Sequence, residues 1–298
     1  MSAAAPRRIG PAAVALIVVL CAMWGLQQVT VQLAIAGGWP PIQLATIRSA
    51  IALACLLVWV VARTGAVTSL VPPRAVIGVA MLTGAGFAGE FLALYPGLKL
   101  TTASRGVVFL YTAPFFTAAG AHYFAGERLG MRQVAGLVVA FGGVAMAFAG
   151  GLAGGGGSLR GDALCELAAV VWAATTVLVK ASPGLRDAGA AAVLTWQVAG
   201  SLPVLVLFAL VSGEPWPTPS AAAWGYLLYQ AVAVAFASYL AWFWLIIRYP
   251  AGRVSGFTFL TPVFGIAAGA LIQGDTVGVG LVVGVLAIAA GLRLLNGP

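Results

Sequence analysis

The sequence predicts an all-α membrane protein whose ten transmembrane helices form two five-helix repeats of inverted topology. Three observations carry this expectation: the composition, the spacing of the apolar runs, and a recurrence of the whole pattern 148 residues on. Of the 298 residues, 62% are hydrophobic and 7% charged, where a soluble domain carries about 25% charged residues. No soluble fold hides that much apolar surface. Apolar runs near the ~20 residues that cross a bilayer recur throughout, so the lipid bilayer is the first partner the chain requires. The recurrence sets Trp24 against Trp172, Arg105 against Arg253, Pro114 against Pro262, Glu127 against Asp275, Gly136 against Gly284 and Gly143 against Gly291.

Apolar runs between breakers place the helices in order. The first repeat, residues 1–149, holds helices near Pro11 to Gln32, Pro41 to Ala62, Arg74 to Tyr95, Ala103 to Phe124 and Gly130 to Ala149. Met1 to Gly25 has Arg7 and Arg8 ahead of an apolar run but no small-x-small cleavage site, so it is expected to stay as the first helix. A glycine-rich link, residues 150–160, is a flexible joint. The second repeat, residues 161–298, holds helices near Asp162 to Lys180, Ala188 to Ser212, Ser220 to Phe243, Arg253 to Gln273 and Thr276 to Leu294.

Basic residues near the helix ends set the orientation. With the N-terminus cytoplasmic, eleven of them fall inside and Lys99, Arg105 and Arg160 outside, while Arg48 lies within a helix. Both termini are then cytoplasmic, and the odd number of helices per copy inverts the second copy against the first. Such pairs hold substrate at their interface near the midplane, and two opposed halves lend themselves to alternating access. The net charge of +8 is spread singly between apolar runs, which argues against a nucleic-acid partner. Cys21, Cys55 and Cys165 sit in apolar runs, where no disulfide framework, metal site or cofactor is implied.

The chain resembles the drug/metabolite transporter superfamily in its EamA branch. The residues that carry the resemblance are Pro41 to Leu57 with Arg48 and Ala52, and Leu98 to Ser104 leading to Pro114. Glu127-Arg128-Leu129, Gly136 to Val144, and Arg248 through Arg253, Pro262 and Gly291 complete it. Asp275 lacks the following Arg, and Trp196 stands in place of an Arg48 equivalent. The resemblance implies two inverted five-helix halves that export or exchange small metabolites across a bacterial inner membrane. Within the family the chain looks closest to the YddG-type aromatic amino acid exporters.

Pro114 and Pro262 lie mid-way along the fourth and ninth helices, where each frees the carbonyl four residues earlier and marks a kink. They serve as a gate or as a permanent bend, and either reading puts both helices beside a cavity. Trp24 and Trp172 lie roughly 15 to 20 Å from their helix starts, too deep for the interfacial belt that suits Trp39, Trp59, Trp216, Trp224 and Trp244. Gln27 and Gln28 share the face of Trp24, and Thr175 and Thr176 that of Trp172. Together with Glu90, Tyr229, Gln230 and Tyr239, these residues form the expected substrate cavity, the rival reading being helix-to-helix hydrogen bonding. Tyr226 and Trp242 read more simply as lipid-facing.

Charges in apolar runs cost about 2.5 to 3.5 kcal/mol each at a helix centre. Arg48, Glu90 and Glu166 qualify and share the outer half of the membrane, so an Arg48 pair with Glu90 or Glu166 is expected to charge or close an outer vestibule. Lys180, Glu127 and His122 read as interfacial. Gly136, Ala140 and Gly143 with Gly284, Ile288 and Gly291 give the fifth and tenth helices small faces, for scaffold packing or for a homo-oligomer contact.

The reading that results is a secondary transporter for amino acids, aromatic ones first, and not an enzyme. No Gly-x-x-x-x-Gly-Lys-Ser/Thr loop occurs, and one histidine without paired Asp clusters offers no catalytic constellation. An exporter of other metabolites or drugs, exchanged for protons through Glu90, and a passive channel are the alternatives.

Overall fold

The computed structural model describes residues 9–66, 74–101, 103–149, 158–273 and 279–297. Arg7, Arg8, Asp275, the Thr276 helix start and residues 150–157 of the link lie outside the described residues, as does the side chain of Gln28. Among the described residues the chain is wholly helical, with no β-strand. In order, the elements are α1 (Pro11–Ala36), α2 (Pro41–Thr64), α3 (Arg74–Leu100), α4 (Ala103–Leu110), α5 (Ala113–Phe124) and α6 (Met131–Ala147). There follow α7 (Leu159–Ala181), α8 (Pro183–Val211), α9 (Ala221–Arg248), α10 (Ala251–Gly256), α11 (Thr261–Gln273) and α12 (Val279–Asn296). Eight helical segments are long and apolar enough to cross a membrane, and α6 is a shorter apolar helix. The protein is a multi-pass membrane protein.

Local chemistry sets the helix starts. Proline opens α1, α2, α5 and α8, where its missing N–H costs nothing and its φ is already helical. Ser158, Ser182 and Ser220 cap α7, α8 and α9 by accepting from Gly161, Leu185 and Ala223 N–H, each worth about 1 kcal/mol. The bounds recur at the same offset of 148 as the sequence pairs: Ala103 and Ala251 start α4 and α10, Ala113 and Thr261 start α5 and α11. Gly189, the counterpart of Pro41, breaks α8 with φ 84 and ψ 168, so the second copy begins its membrane run where the first does. Only glycine takes that φ cheaply.

Both mid-helix prolines do more than kink. Ahead of Pro114 the helix stops at Leu110 and restarts at Ala113, and ahead of Pro262 it tightens into a 3₁₀ turn, Phe257–Leu260. Thr112 and Thr258 Oγ1 turn back to the Phe109 and Ser255 carbonyls at 2.7 Å, taking up backbone acceptors near the breaks. A second irregularity has no counterpart in the other half: Tyr229–Ser238 of α9 is a π-helix.

The scaffold is α6 against α12, the most extensive helix pair. A Cβ on Gly143 would lie 2.6 Å from Gly284 O, one on Gly136 2.6 Å from Leu295 N, and one on Gly291 would collide with Ala140 N. The small faces of both helices are thus spent on each other inside the chain. That matches the scaffold reading. In addition, α1 packs on α11 and its counterpart α7 on α5.

Candidate substrate cavity

A cavity of about 110 Å³ lies between the repeats. Trp24, Tyr239 and Trp242 form one wall, with Trp24 edge-on to Trp242 at 5.2 Å and to Tyr239 at 6.2 Å. The indole N–H of Trp24 donates to Ser238 Oγ at 2.8 Å, which holds its ring in place against the π-helix. Trp172 and Tyr111, 6.2 Å apart and nearly perpendicular, form the opposite wall, and Phe87 and Phe91 of α3 close a third side. Gln27, Glu90, Thr175, Thr176 and Gln197 supply the polar groups. Thr175 and Thr176 hydroxyls turn back to Trp172 O at 2.8 and 3.1 Å, and Thr175 reaches into the space left by Gly86. Aromatic walls with a few convergent polar groups describe a site for a small organic ligand.

α7 connects the two ends of this arrangement. At its start, Asp162 accepts from Thr101 Oγ1 at 2.7 Å and forms a two-pronged ion pair with Arg105 of the first half. About 27 Å further on, at 1.5 Å per residue, Lys180 lies 3.5 Å from Glu127 of the first half. Lys180 Nζ also donates to Ile246 O at 2.9 Å and Tyr249 O at 2.5 Å. Glu127 in turn accepts from Ala251 and Gly252 N–H, at 2.7 and 3.3 Å, capping the N-terminus of α10 across the interface between the halves.

The two ends differ. At the Glu127 end α5 packs against α10, so closely that a Cβ on Gly252 would sit 3.0 Å from that of Ala118. Their counterparts, α11 and α4, make no comparable packing among the described residues. The Glu127 end is therefore latched by helix packing as well as by charge, whereas at the other end the described link between the halves is that of Thr101 and Arg105 with Asp162, Asp275, the counterpart of Glu127, lying outside the described residues. Below the latch, Arg128, Arg186, Arg248 and Arg253 surround a wide basin of about 800 Å³.

The sequence pattern of the EamA-like transporter family matches residues 11–149 and again 159–297, one match in each half. The chain belongs to the EamA-like transporter family. Among its relatives, the "Probable amino-acid metabolite efflux pump" of Salmonella typhimurium is 30% identical over 94% of this chain and 92% of that protein. A protein of the same name from Escherichia coli is 29% identical over 87% and 85%. The uncharacterized transporter YvbV of Bacillus subtilis is 29% identical over 67% of this chain, a match that spans 65% of that protein. A solved crystal structure with 19% identity superposes with a TM-score of 0.81 over 96% of both chains, which shows that the fold is shared.

In this EamA chain, Trp24, Gln27, Glu90, Trp172, Thr176 and Tyr239 all line the cavity. Tyr229 and Gln230 do not: Tyr229 Oη donates to Met23 O at 2.8 Å, and Gln230 Nε2 donates to Gln27 O and Thr30 Oγ1 at 3.1 and 2.7 Å. They stitch the π-helix to α1, the helix-to-helix bonding held as the rival reading. Glu166 accepts from Thr112 Oγ1 at 3.0 Å, beside the break that precedes Pro114. Arg48 makes no direct ion-pair contact with either acid, though its charge acts on neighbouring Glu90; its guanidinium lies 4.7 Å over the Phe91 ring. His122 packs into its own turn, with Nδ1 2.8 Å from Glu127 O.

One further assignment changes. Trp242, read as lipid-facing, is 4% exposed and lies in the cavity wall, because the π-helix just before it rotates α9 relative to an unbroken α-helix. Trp39, read as interfacial, lies in the turn between α1 and α2 and is buried there against Trp224 at 4.8 Å. Glu127 and Lys180, read as interfacial charges, lie at helix ends and in addition form the latch. Tyr111 and Gln197 also line the cavity, and neither carries a sequence signal beyond its position in an apolar run.

Proposed function

We propose that this transporter exports or exchanges amino acids, aromatic ones in particular, by alternating access across a bacterial inner membrane. The observation that carries the proposal is the cavity, in which Trp24, Trp172, Tyr239 and Trp242 face one another around Gln27, Thr176, Gln197 and Glu90. Flat apolar side chains suit the walls, and the amino acid's charged end suits the polar groups. The names of the two efflux-pump relatives support the amino-acid part.

In this reading α4 with α5, and α10 with α11, each make one crossing, giving ten crossings in two inverted halves with both termini cytoplasmic. The Glu127 end then faces the cytoplasm and is closed, while the Asp162 end faces outward. The cavity, at about 110 Å³, is smaller than the ~150 Å³ that accommodates benzene, so an aromatic amino acid enters as the walls part. Pro114 and Pro262 are the hinges about which α4 and α11 move against α5 and α10.

Counterflow in proteoliposomes tests the function. Vesicles loaded with unlabelled phenylalanine or tryptophan accumulate the labelled compound transiently without an ion gradient. Accumulation only with threonine or with a cationic drug removes the aromatic assignment. Flux that neither saturates nor shows counterflow makes the protein a channel.

A further inference from the structure

Behind the aromatic wall lies a buried cation with unused hydrogen-bond donors. Arg48 is 2% exposed, and its Nε and Nη2 have no hydrogen-bond partner. Among the described residues the ion pairs are Arg105 with Asp162 and Lys180 with Glu127, and neither includes it. Glu90 and Tyr239, its neighbours, both line the cavity, as does Phe91, whose ring covers the guanidinium. A charge in an apolar run is costly, and so are buried donors left unbonded. Its counterpart 148 residues on is Trp196, so the charge does not belong to the scaffold that both halves share. A second group in the same cavity is also unsatisfied: Gln197 Oε1, buried and without a donor.

Resting on the transport reading above, we propose that Arg48 receives the carboxylate of a free α-amino acid, with Glu90 and Gln197 Oε1 taking its ammonium group. The donors left over are an Arg fork, which matches a carboxylate in two-pronged geometry. The acceptors left over are a carboxylate and an amide oxygen, which match an ammonium. Outward movement of Phe91 enlarges a cavity too small for its ligand and uncovers the guanidinium in the same step. The substrate is thereby specified as a zwitterion; an amine lacking the carboxylate leaves Arg48 buried and unpaired.

The test is competition against labelled phenylalanine in counterflow, with phenethylamine (no carboxylate), phenylalanine methyl ester (no carboxylate charge) and 3-phenylpropionate (no ammonium). All three are expected to compete roughly tenfold or more weakly than phenylalanine, the scale of losing a hydrogen bond to a charged group. Arg48→Gln is expected to erase the discrimination against phenethylamine and the ester while keeping that against 3-phenylpropionate. Arg48→Lys, which keeps the charge without the fork, is expected to restore part of it. Should Arg48→Gln fail to fold, the unaltered protein and Arg48→Lys decide. Phenethylamine competing as well as phenylalanine overturns the inference and leaves aromatic transport standing, as does unchanged discrimination in Arg48→Gln. If no aromatic compound is exchanged, the same comparison is made between threonine and its decarboxylated amine; exchange of no amino acid overturns both readings.

Discussion

Lys180 Nζ and Glu127 Oε1 lie 3.5 Å apart on opposite halves of the molecule, and both also bind the corner between α9 and α10. One carboxylate thus serves as the counter-ion of a buried lysine and as the cap of a helix in the other repeat. Glu127→Ala removes both, and cap loss alone costs about 0.5–2 kcal/mol. The expected result is a shift of roughly tenfold towards the state open at the Glu127 end, seen as faster maleimide modification of Ala118→Cys. Glu127→Gln, which retains one acceptor, is expected to fall between the two.

Gly252 is where α10 comes nearest to α5. Gly252→Leu places a side chain where the Ala118 backbone and Cβ already lie, so the Glu127 end can no longer close. Counterflow is expected to fall to background while detergent-solubilised protein still gains thermal stability from phenylalanine.

Pro114→Ala and Pro262→Ala restore an N–H beside each helix break. A continuous helix bends less, and where gating limits turnover the exchange rate falls without a loss of affinity. Each variant is expected to slow exchange several-fold at unchanged half-saturation. A permanent bend that only shapes packing would instead lower stability and leave the rate per folded molecule intact.

Gly291→Leu separates the scaffold from the moving parts. Its side chain meets Ala140 and Gly136 O across α6, and overpacking of this kind costs about 1–3 kcal/mol or more. A lower melting temperature and less folded protein are expected, with exchange per folded molecule unchanged.

Much of the architecture was legible because apolar length and breaker residues are local signals. The pairing of Trp24 with Trp172, and of Pro114 with Pro262, located both the cavity and the two helix breaks. What stayed hidden depends on geometry that no local pattern records. The π-helix at Tyr229–Ser238 has no proline or glycine to announce it, and it decides that Trp242 faces inward while Tyr229 and Gln230 bond to α1. Lys180 lies at a helix end, the usual place of a solvated lysine. Only the fold brings the Ile246 and Tyr249 carbonyls to it. Arg48 was recognisable as a costly charge, but the two donors it leaves unbonded are a fact of three dimensions.

The central claim is that the two ends open in alternation, and distances between spin labels measure this most directly. In a background without Cys21, Cys55 and Cys165, one pair of labels at Tyr123→Cys and Arg248→Cys spans the Glu127 end. A second pair at Leu159→Cys and Leu271→Cys spans the Asp162 end. The account predicts that phenylalanine lengthens the first distance in part of the population and shortens the second in that same part. Two distances that stay unchanged, or that lengthen together, would contradict it.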